Sequence, residues 1–516
     1  MSEIAEDGEL TNRQYEFLNR TKMKKTILIC LLSGMIASCD DFLTIYPETS
    51  LTSATFFTRE ADFVQAVNGA YVPLRSIAND RSWLLGEMHS DNTYYSRNIL
   101  FGATEQQEDI ADFAMPEAQG ITSNTHVLNQ YRLDYQIIAR TNQVLATIDN
   151  VEFDKSSKDN LRGQALFLRA YAYFELVRYF GKVPLHLAPV PTREESALPL
   201  AEVSEVYAQI IQDATAAIPL LLPKSKQEGG RATSGAARTL LANVYIVLEE
   251  WAKAEVLLQE VVASNEYSLM LEYENVFSTS TGNKNNAESV FEIQFIEGSA
   301  GLNGTFLYNF MPRPMSPTEL VTITGTSNPQ PLDGEGNNTP TPDIIAAFEP
   351  GDKRKDVSVG YITLAGSFRT DKTYPYIKKY AKTHQLNNNH GMNWPVYRYS
   401  EVLLFLAEAL TKQGKDGSSY LNLVRKRAGL GDATGDLLEA IYKERRVELA
   451  FENKRWFDLV RTGKAIETIT AYGARLKANP EAYYYPPGAA PRSHVFTNIK
   501  LLYALPADEA ALSPYF

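Results

Sequence analysis

The sequence predicts a mainly α-helical protein, in which helical hairpins form a scaffold and a loop-rich irregular portion with few short strands interrupts it. Three observations lead there. Apolar residues recur at i, i+4 and i+7 through several long stretches, the spacing of one helix face. Two segments carry small residues at the offsets that let paired helices approach closely. From about residue 275 to 393, Gly, Asn, Pro and Thr dominate, which is turn and loop chemistry.

The chain begins with a polar stretch, Met1–Lys22, followed by Met23-Lys24-Lys25 and a short apolar run from Thr26 to Ile36. Basic residues before a short apolar run form a secretory signal pattern. The run is too short for a membrane-spanning helix, which needs about 20 apolar residues. It closes on Ile36-Ala37-Ser38-Cys39. Small residues before a cysteine at that point resemble a bacterial lipobox, so Cys39 is the expected site of acylation and the first mature residue. Met23 is the expected start. Asp40-Asp41 follows, and acidic residues there resemble the surface-export signal of outer-membrane lipoproteins in Bacteroidetes-type bacteria.

Helices are expected from Arg59 to Leu74, over 126–148, from Lys158 to a stop at Gly181, and over Val203–Ile218 before Pro219. Next comes Leu241-Ala242-x-x-Tyr245 and then Ala254-x-x-x-Leu258, the offsets of a tetratricopeptide repeat. A weaker copy is Leu406-Ala407-x-x-Leu410 with Ser419-x-x-x-Leu423. Two copies so far apart do not make a regular solenoid. Short strands are expected at Ser289–Phe295 and Val357–Leu364. Further helices are expected over Pro395–Thr411, Gly417–Ala428 and Asp436–Phe451, with a turn around Lys454–Thr462.

Composition narrows the function. The 516 residues carry a formal charge of −12, against a general nucleic-acid binder, whose footprint is basic. Cys30 and Cys39 are the two cysteines, so no disulfide staples the body. No second apolar stretch is long enough to span a bilayer. No cofactor or metal is expected. His384 and His390 lack metal-site spacing, and Asp333-x-Glu335-x-Asn337 lacks the Gly and Glu that complete a calcium loop. No phosphate-cradling loop occurs.

Six blocks in order then resemble one family. They are Asp41-Phe42-Leu43 through Asn68-Gly69-Ala70-Tyr71; Arg169-Ala170-Tyr171-Ala172-Tyr173-Phe174 through Pro184-Leu185; Arg398-Tyr399-Ser400-Glu401 with Ala407-Glu408-Ala409; Val424-Arg425-x-Arg427-Ala428-Gly429; Glu444-Arg445-Arg446-Val447-Glu448 through Arg461; and Leu502-Tyr503-Ala504-Leu505-Pro506. Together they resemble the SusD/RagB outer-membrane nutrient-binding lipoproteins across nearly the whole mature chain. The resemblance implies a SusD-like fold without catalysis. It implies a lipid-anchored protein at the cell surface that works with a SusC-like TonB-dependent outer-membrane transporter to capture nutrient, most often a glycan. The organisation is then 1–38 as extension and signal peptide, 39–270 as an N-terminal SusD-like helical region, and 271–516 as the C-terminal SusD/RagB region holding the 275–393 insert.

Glu444, Arg445, Arg446 and Glu448 fall within one and a half helical turns, and Glu444 and Glu448 form a like-charge i, i+4 pair that needs partners elsewhere. A structural Arg–carboxylate network is preferred here to acid–base chemistry. The aromatic run from Tyr171 to Phe180 surrounds its helix, which points to core packing.

The ligand site follows by elimination. Sugar binding takes aromatic faces and a few placed polar groups. Trp251 falls in a hairpin turn and Trp456 in a family block. Trp83 precedes a nonperiodic stretch rich in aromatics and hydrogen-bonding groups, and in SusD relatives the segment after the early helices often contributes to the ligand face. Trp83, Tyr94, Tyr95 and Arg97 are therefore the first candidates. Tyr308, in the Asn303–Met311 loop, and Trp394 are further ones. A RagB-like peptide ligand stays open as an alternative, and a tetratricopeptide-type scaffold with no nutrient is a weaker third.

Overall fold

Helices stack in sequence order along most of the molecule. A computed structural model describes residues 56–79, 82–96, 105–192, 194–279, 283–298, 301–333, 336–366 and 369–516. Cys30, Cys39, Arg97 and Glu335 lie outside them. Thr58–Phe516 forms one compact unit; Met1–Phe57 groups separately, with only Phe56 and Phe57 described.

The stack begins with α1 (Glu60–Asn79), α2 (Thr125–Thr147), α3 (Lys155–Phe180), α4 (Val203–Ala217), α5 (Ser234–Val247) and α6 (Trp251–Ala263), each packed on the next. Local chemistry sets their ends. Asn124 accepts from His126 N and Val127 N to start α2, and Asp154 accepts from Ser157 N to start α3. Gly181, at φ 73°, stops α3 where the sequence places the stop. Glu202 and Glu205 form a reciprocal cap on α4. From Phe167 to Phe180 α3 is buried nearly all round, with Tyr173, Phe174 and Tyr179 at 1% exposure or less, so its aromatic run is core.

In the first hairpin Ala242, Ala254 and Leu258 are fully buried, as their spacing predicts. α6 then packs on α7 (Tyr399–Lys412), which lies beyond the insert. The two hairpins that are distant in sequence are therefore neighbours. α7 continues to α8 (Ser418–Arg427) and α9 (Leu437–Glu448), followed by α10 (Arg455–Arg461) and α11 (Ala465–Ala478). The second hairpin's register differs from the expected one. Ser419 and Leu423 face solvent, while Gly417, Leu421 and Val424 are buried. Gly417 is the close-approach residue, because a Cβ there would collide with the Ala407 carbonyl.

Among the described residues three two-stranded ribbons clip distant segments together, β1 (Thr93–Ser96) with β4 (Gly336–Pro340), β2 (Ile121–Thr122) with β8 (Leu505–Pro506), and β3 (Ser289–Ile293) with β7 (Trp394–Arg398), while β5 (Val359–Gly366) pairs with its neighbour β6 (Arg369–Ile377). Only β2–β8 is parallel. Residues 394–398 are thus strand, where the sequence suggested the start of a helix. Burial on both faces hides the period-2 signal that would have separated the two. β3 and β7 sit at the two ends of the insert, so it leaves and rejoins the scaffold at one place. β1 and β4 join the N-terminal half to the insert.

The charged blocks pack into a buried ion lattice. Arg354, fully buried, contacts Asp352, Glu444 and Glu448 at 2.8, 2.5 and 2.9 Å. Arg398 holds Glu288, Glu448 and Glu452. Arg427 adds to Glu448 and Glu288, so the like-charge pair on α9 finds its partners on other elements. Arg445 joins Glu401 to Asp458, and Arg461 joins Asp458 to Glu408. Arg446 and Arg455 converge on Asp91. Burial alone would raise the Asp458 carboxyl, but Arg445 and Arg461 outweigh it and hold it down at about 2. Asp91 is likewise held at about 2 against burial by Arg455 and Arg446.

Candidate functional site

The sequence-selected aromatics near the N-terminus are packed inside. Trp83 opens a π-helical turn, Leu84–Met88, and is fully buried edge-on to Phe310 at 4.9 Å. Tyr94 and Tyr95 lie on β1, whose four residues are all buried. Their rings stack at 4.2 Å and both hydroxyls reach Asp112; Tyr95 OH lies 3.1 Å from its Oδ2. Tyr94 OH is also 2.9 Å from Tyr485 OH. Burial raises the Tyr94 pKa, and the neighbouring tyrosines and Asp112 add to it. Trp394 sits on β7, 6% exposed, stacked on Tyr380 at 5.4 Å. These four side chains present no open aromatic face in this structure. Trp456 is buried too, and Trp251 begins α6 half-buried rather than sitting in the turn.

Tyr308 is also buried, at 2% exposure, but it borders an open cleft. It lines a cleft of about 540 Å3, within the usual size of small-ligand sites. The wall begins with Asn79 at the end of α1 and with His126 and Asn129 in the first two turns of α2. Thr305, Asn309 and Arg313 come from the loop, Asp333 from before β4, and Asn387 and Asn388 from the Asn-rich turn.

Hydrogen bonds hold this wall in place. Asn79 Nδ2 donates to Asn303 O at 3.1 Å, and its Oδ1 accepts from Thr305 N at 2.8 Å. Arg313 donates through Nη2 to Tyr308 O and through Nη1 to Asp333 O, both at 2.8 Å, tying two loops together. Asn387 Oδ1 accepts from Gln330 N at 3.2 Å. Tyr308 OH lies 2.8 Å from His384 Nε2. Burial raises the Tyr308 pKa, so the phenol is neutral at physiological pH. The amides of Asn129 and Asn309 have no partner among the described residues and are available to a ligand.

The cleft offers amide donors and acceptors, which suit a ligand rich in hydroxyl or amide groups. It holds no nucleophile paired with a base. Among the described residues no cluster of three or more His, Cys, Asp or Glu could hold a metal ion, and no helix is long and apolar enough to cross a membrane. His384 and His390 are both buried, with ring centroids 6.0 Å apart, and burial lowers His390 to about 3.

Sequence reasoning selected Tyr308 and passed over Asn79, His126, Asn129, Asn309, Arg313 and Asn387–Asn388. The Asn-rich runs were visible, but they read as turn chemistry. Nothing in the sequence marks Asn79 or Asn129, which are single polar residues on helix surfaces.

A helical stack with loop-built, amide-lined clefts suits a binding protein. Two family profiles match: one described as "Starch-binding associating with outer membrane" over residues 41–246, and one described as "SusD family" over residues 363–513. The chain belongs to the SusD/RagB family, and like that family's binding proteins it is non-catalytic. It is 24% identical to SusD-like protein P25 of Formosa agariphila, over 87% of this chain and 91% of the relative. Identity is 27% to SusD-like protein P2 of the same organism, over 89% and 94%. Among solved structures, a laminarin-binding SusD-like protein superposes with a TM-score of 0.68 at 26% identity, covering 84% of this chain and 95% of that one. A SusD homologue from Bacteroides thetaiotaomicron gives 0.73 at 22% identity, covering 90% and 97%, and shares the fold. Surface glycan-binding protein A from the same organism gives 0.69 at 21%, covering 89% and 98%.

Proposed function

We propose that this protein is a cell-surface glycan-binding lipoprotein, anchored through acylated Cys39, that works with a SusC-like TonB-dependent transporter in outer-membrane uptake. The observation that carries the ligand half is the 540 Å3 cleft, whose amides match sugar hydroxyls and whose loops are pinned by Arg313. The names of the laminarin-binding and surface glycan-binding relatives support a glycan. The outer-membrane description of the matched profile supports the location. Tyr308, Asn129 and Asn309 are the contacts assigned here. Arg97, which lies outside the described residues, stays a proposed contact on the sequence alone.

A peptide ligand is the second reading. One observation favours keeping it: the cleft has no tryptophan in its wall, and three of the four tryptophans are buried elsewhere. Calorimetry of the purified mature protein against panels of neutral and acidic glycans and of mixed oligopeptides separates the two. Glycan binding lost in Asn129→Ala/Asn309→Ala supports the proposal, and binding of peptides alone replaces it. For the anchor, Cys39→Ala is expected to release the protein from the outer membrane; unchanged membrane retention refutes lipidation there. Copurification with a large outer-membrane barrel is the expected sign of the transporter partner.

A further inference from the structure

A second cleft, of about 590 Å3, borders the first. Leu302 lines this one and Thr305 lines the first, so the segment 302–305 forms the ridge between them. Helix α1 runs past both. Gln65, Asn68, Val72 and Arg75 line the second cleft, and Asn79 lines the first. Those positions are three or four residues apart and make one stripe on the helix, about 21 Å long at 1.5 Å per residue.

The second cleft is lined by two arginines and by two carboxylates, Glu228 held by Arg231 and Glu292 held by Asn285 N and Asn393 Nδ2, and the two arginines differ. Arg231 is fully engaged: Nε donates to Glu228 at 2.5 Å, Nη2 to Asn68 Oδ1 at 2.7 Å and Nη1 to Gln164 Oε1 at 3.1 Å. Arg75 has no hydrogen-bonding or ion-pair partner among the described residues, and its Nε is buried. Burial lowers its pKa below the ordinary arginine value, yet the guanidinium stays charged. A partly desolvated, unpaired guanidinium is a costly group to keep without a partner. Its planar fork fits a carboxylate or a sulfate through two parallel hydrogen bonds. Beside it, Val72 and Leu302 are each 40% exposed and offer an apolar surface to a sugar ring. Gln65 is exposed next to them.

We infer that the second cleft is a subsite for an acidic sugar unit, with Arg75 gripping its carboxylate or sulfate while neighbouring units of the same chain occupy the first cleft. This rests on the glycan reading above and narrows it to anionic glycans. The stripe on α1 is the track along which the chain lies.

The test is calorimetry of the mature protein with three probes: oligogalacturonate for carboxylate, a carrageenan oligosaccharide for sulfate, and a neutral laminari-oligosaccharide. Arg75→Gln and Arg75→Lys run beside the wild type. An acidic probe is expected to bind more tightly than the neutral one, and more weakly as salt rises. Arg75→Gln is expected to weaken the acidic probe ten- to hundredfold and leave the neutral one unchanged, with partial recovery in Arg75→Lys. Preference for one acidic probe names the anion. Neutral binding equal to acidic binding, or an Arg75→Gln variant that binds the acidic probes normally, overturns the subsite and leaves the glycan reading intact. Silence toward all three probes with binding to oligopeptides overturns both.

Discussion

The α7–α10 ion lattice and the α1–α2 clefts use the same residue types in opposite ways. In the lattice, Arg354, Arg398, Arg445 and Arg461 each meet at least two carboxylates, and all of these groups except Asp458, at 15% exposure, are nearly or fully buried. Along the clefts, Asn129, Asn309 and Arg75 have polar groups with no protein partner among the described residues. Buried charges stay charged only when paired and hydrogen-bonded, so the lattice spends most of its polar atoms on itself, with Arg427 Nε and Arg445 Nη1 left without a hydrogen-bond acceptor among the described residues. The cleft groups remain available because water or a ligand can satisfy them. A dense cluster of charged residues in a sequence therefore marks a structural knot here, and the binding surface uses scattered, unremarkable amides.

Breaking the lattice is expected to give the largest effect. Arg398→Met leaves Glu288, Glu448 and Glu452 short of a counter-ion in a site that is 2% exposed or less. Removing one partner of a buried ion pair costs about 3–5 kcal/mol. Urea unfolding should show a loss of that size, and a loss below about 1 kcal/mol would mean that the lattice relaxes freely.

Acid is the next lever. Asp91 and Asp458 titrate at about 2 when folded and near the ordinary aspartate value of 3.8 when unfolded. A depressed folded pKa adds stability above the unfolded value, and that stability is lost as pH falls from about 4 towards 2. Each carboxylate contributes roughly 2 kcal/mol by linkage. Unfolding free energies measured from pH 5 to pH 2 should fall steeply below pH 4, and the part due to this site should vanish in Asp458→Asn. A flat profile would contradict the pairing.

The clefts should respond in the opposite sense. Asn129→Ala/Asn309→Ala is expected to leave stability within about 0.5 kcal/mol of wild type, the usual range for surface changes. The same variant should weaken ligand binding five- to fiftyfold in calorimetry. A stability loss without a binding loss would move these amides from the site to the scaffold. The smallest effect is expected at Lys182–Glu202, a surface pair whose side chains are 51% and 61% exposed. Lys182→Ala, which breaks the pair and leaves the Glu202 cap in place, should change stability by less than about 0.5 kcal/mol, because exposed ion pairs are screened and entropically costly.

The legible features of this chain are those whose cause is local. The stop of α3 at Gly181, the small residues Ala242 and Ala254, and the need of Glu444 and Glu448 for distant cations all follow from short-range spacing and charge. The family blocks fall in the same class, because they are contiguous strings. Even there, one step of geometry escaped: the close approach in the second hairpin belongs to Gly417 and not to Ser419, since only the packing of α7 shows which side of α8 faces inward. Which aromatics are buried was also beyond local reading. Trp83 and Tyr94 sit in a nonperiodic segment, and such a segment gives no inside or outside until β4 and Asp112 close over it. The clefts depend most on the fold. Asn79, Asn129, Asn309 and Asn388 are up to 309 residues apart in the chain, and nothing local relates them. They meet because α1 packs on α2 and because hydrogen bonds from Asn79 and Arg313 draw the insert's loops against those helix ends. Long-range closure of that kind is set by the sum of many weak contacts, and so it is decided only in the folded molecule.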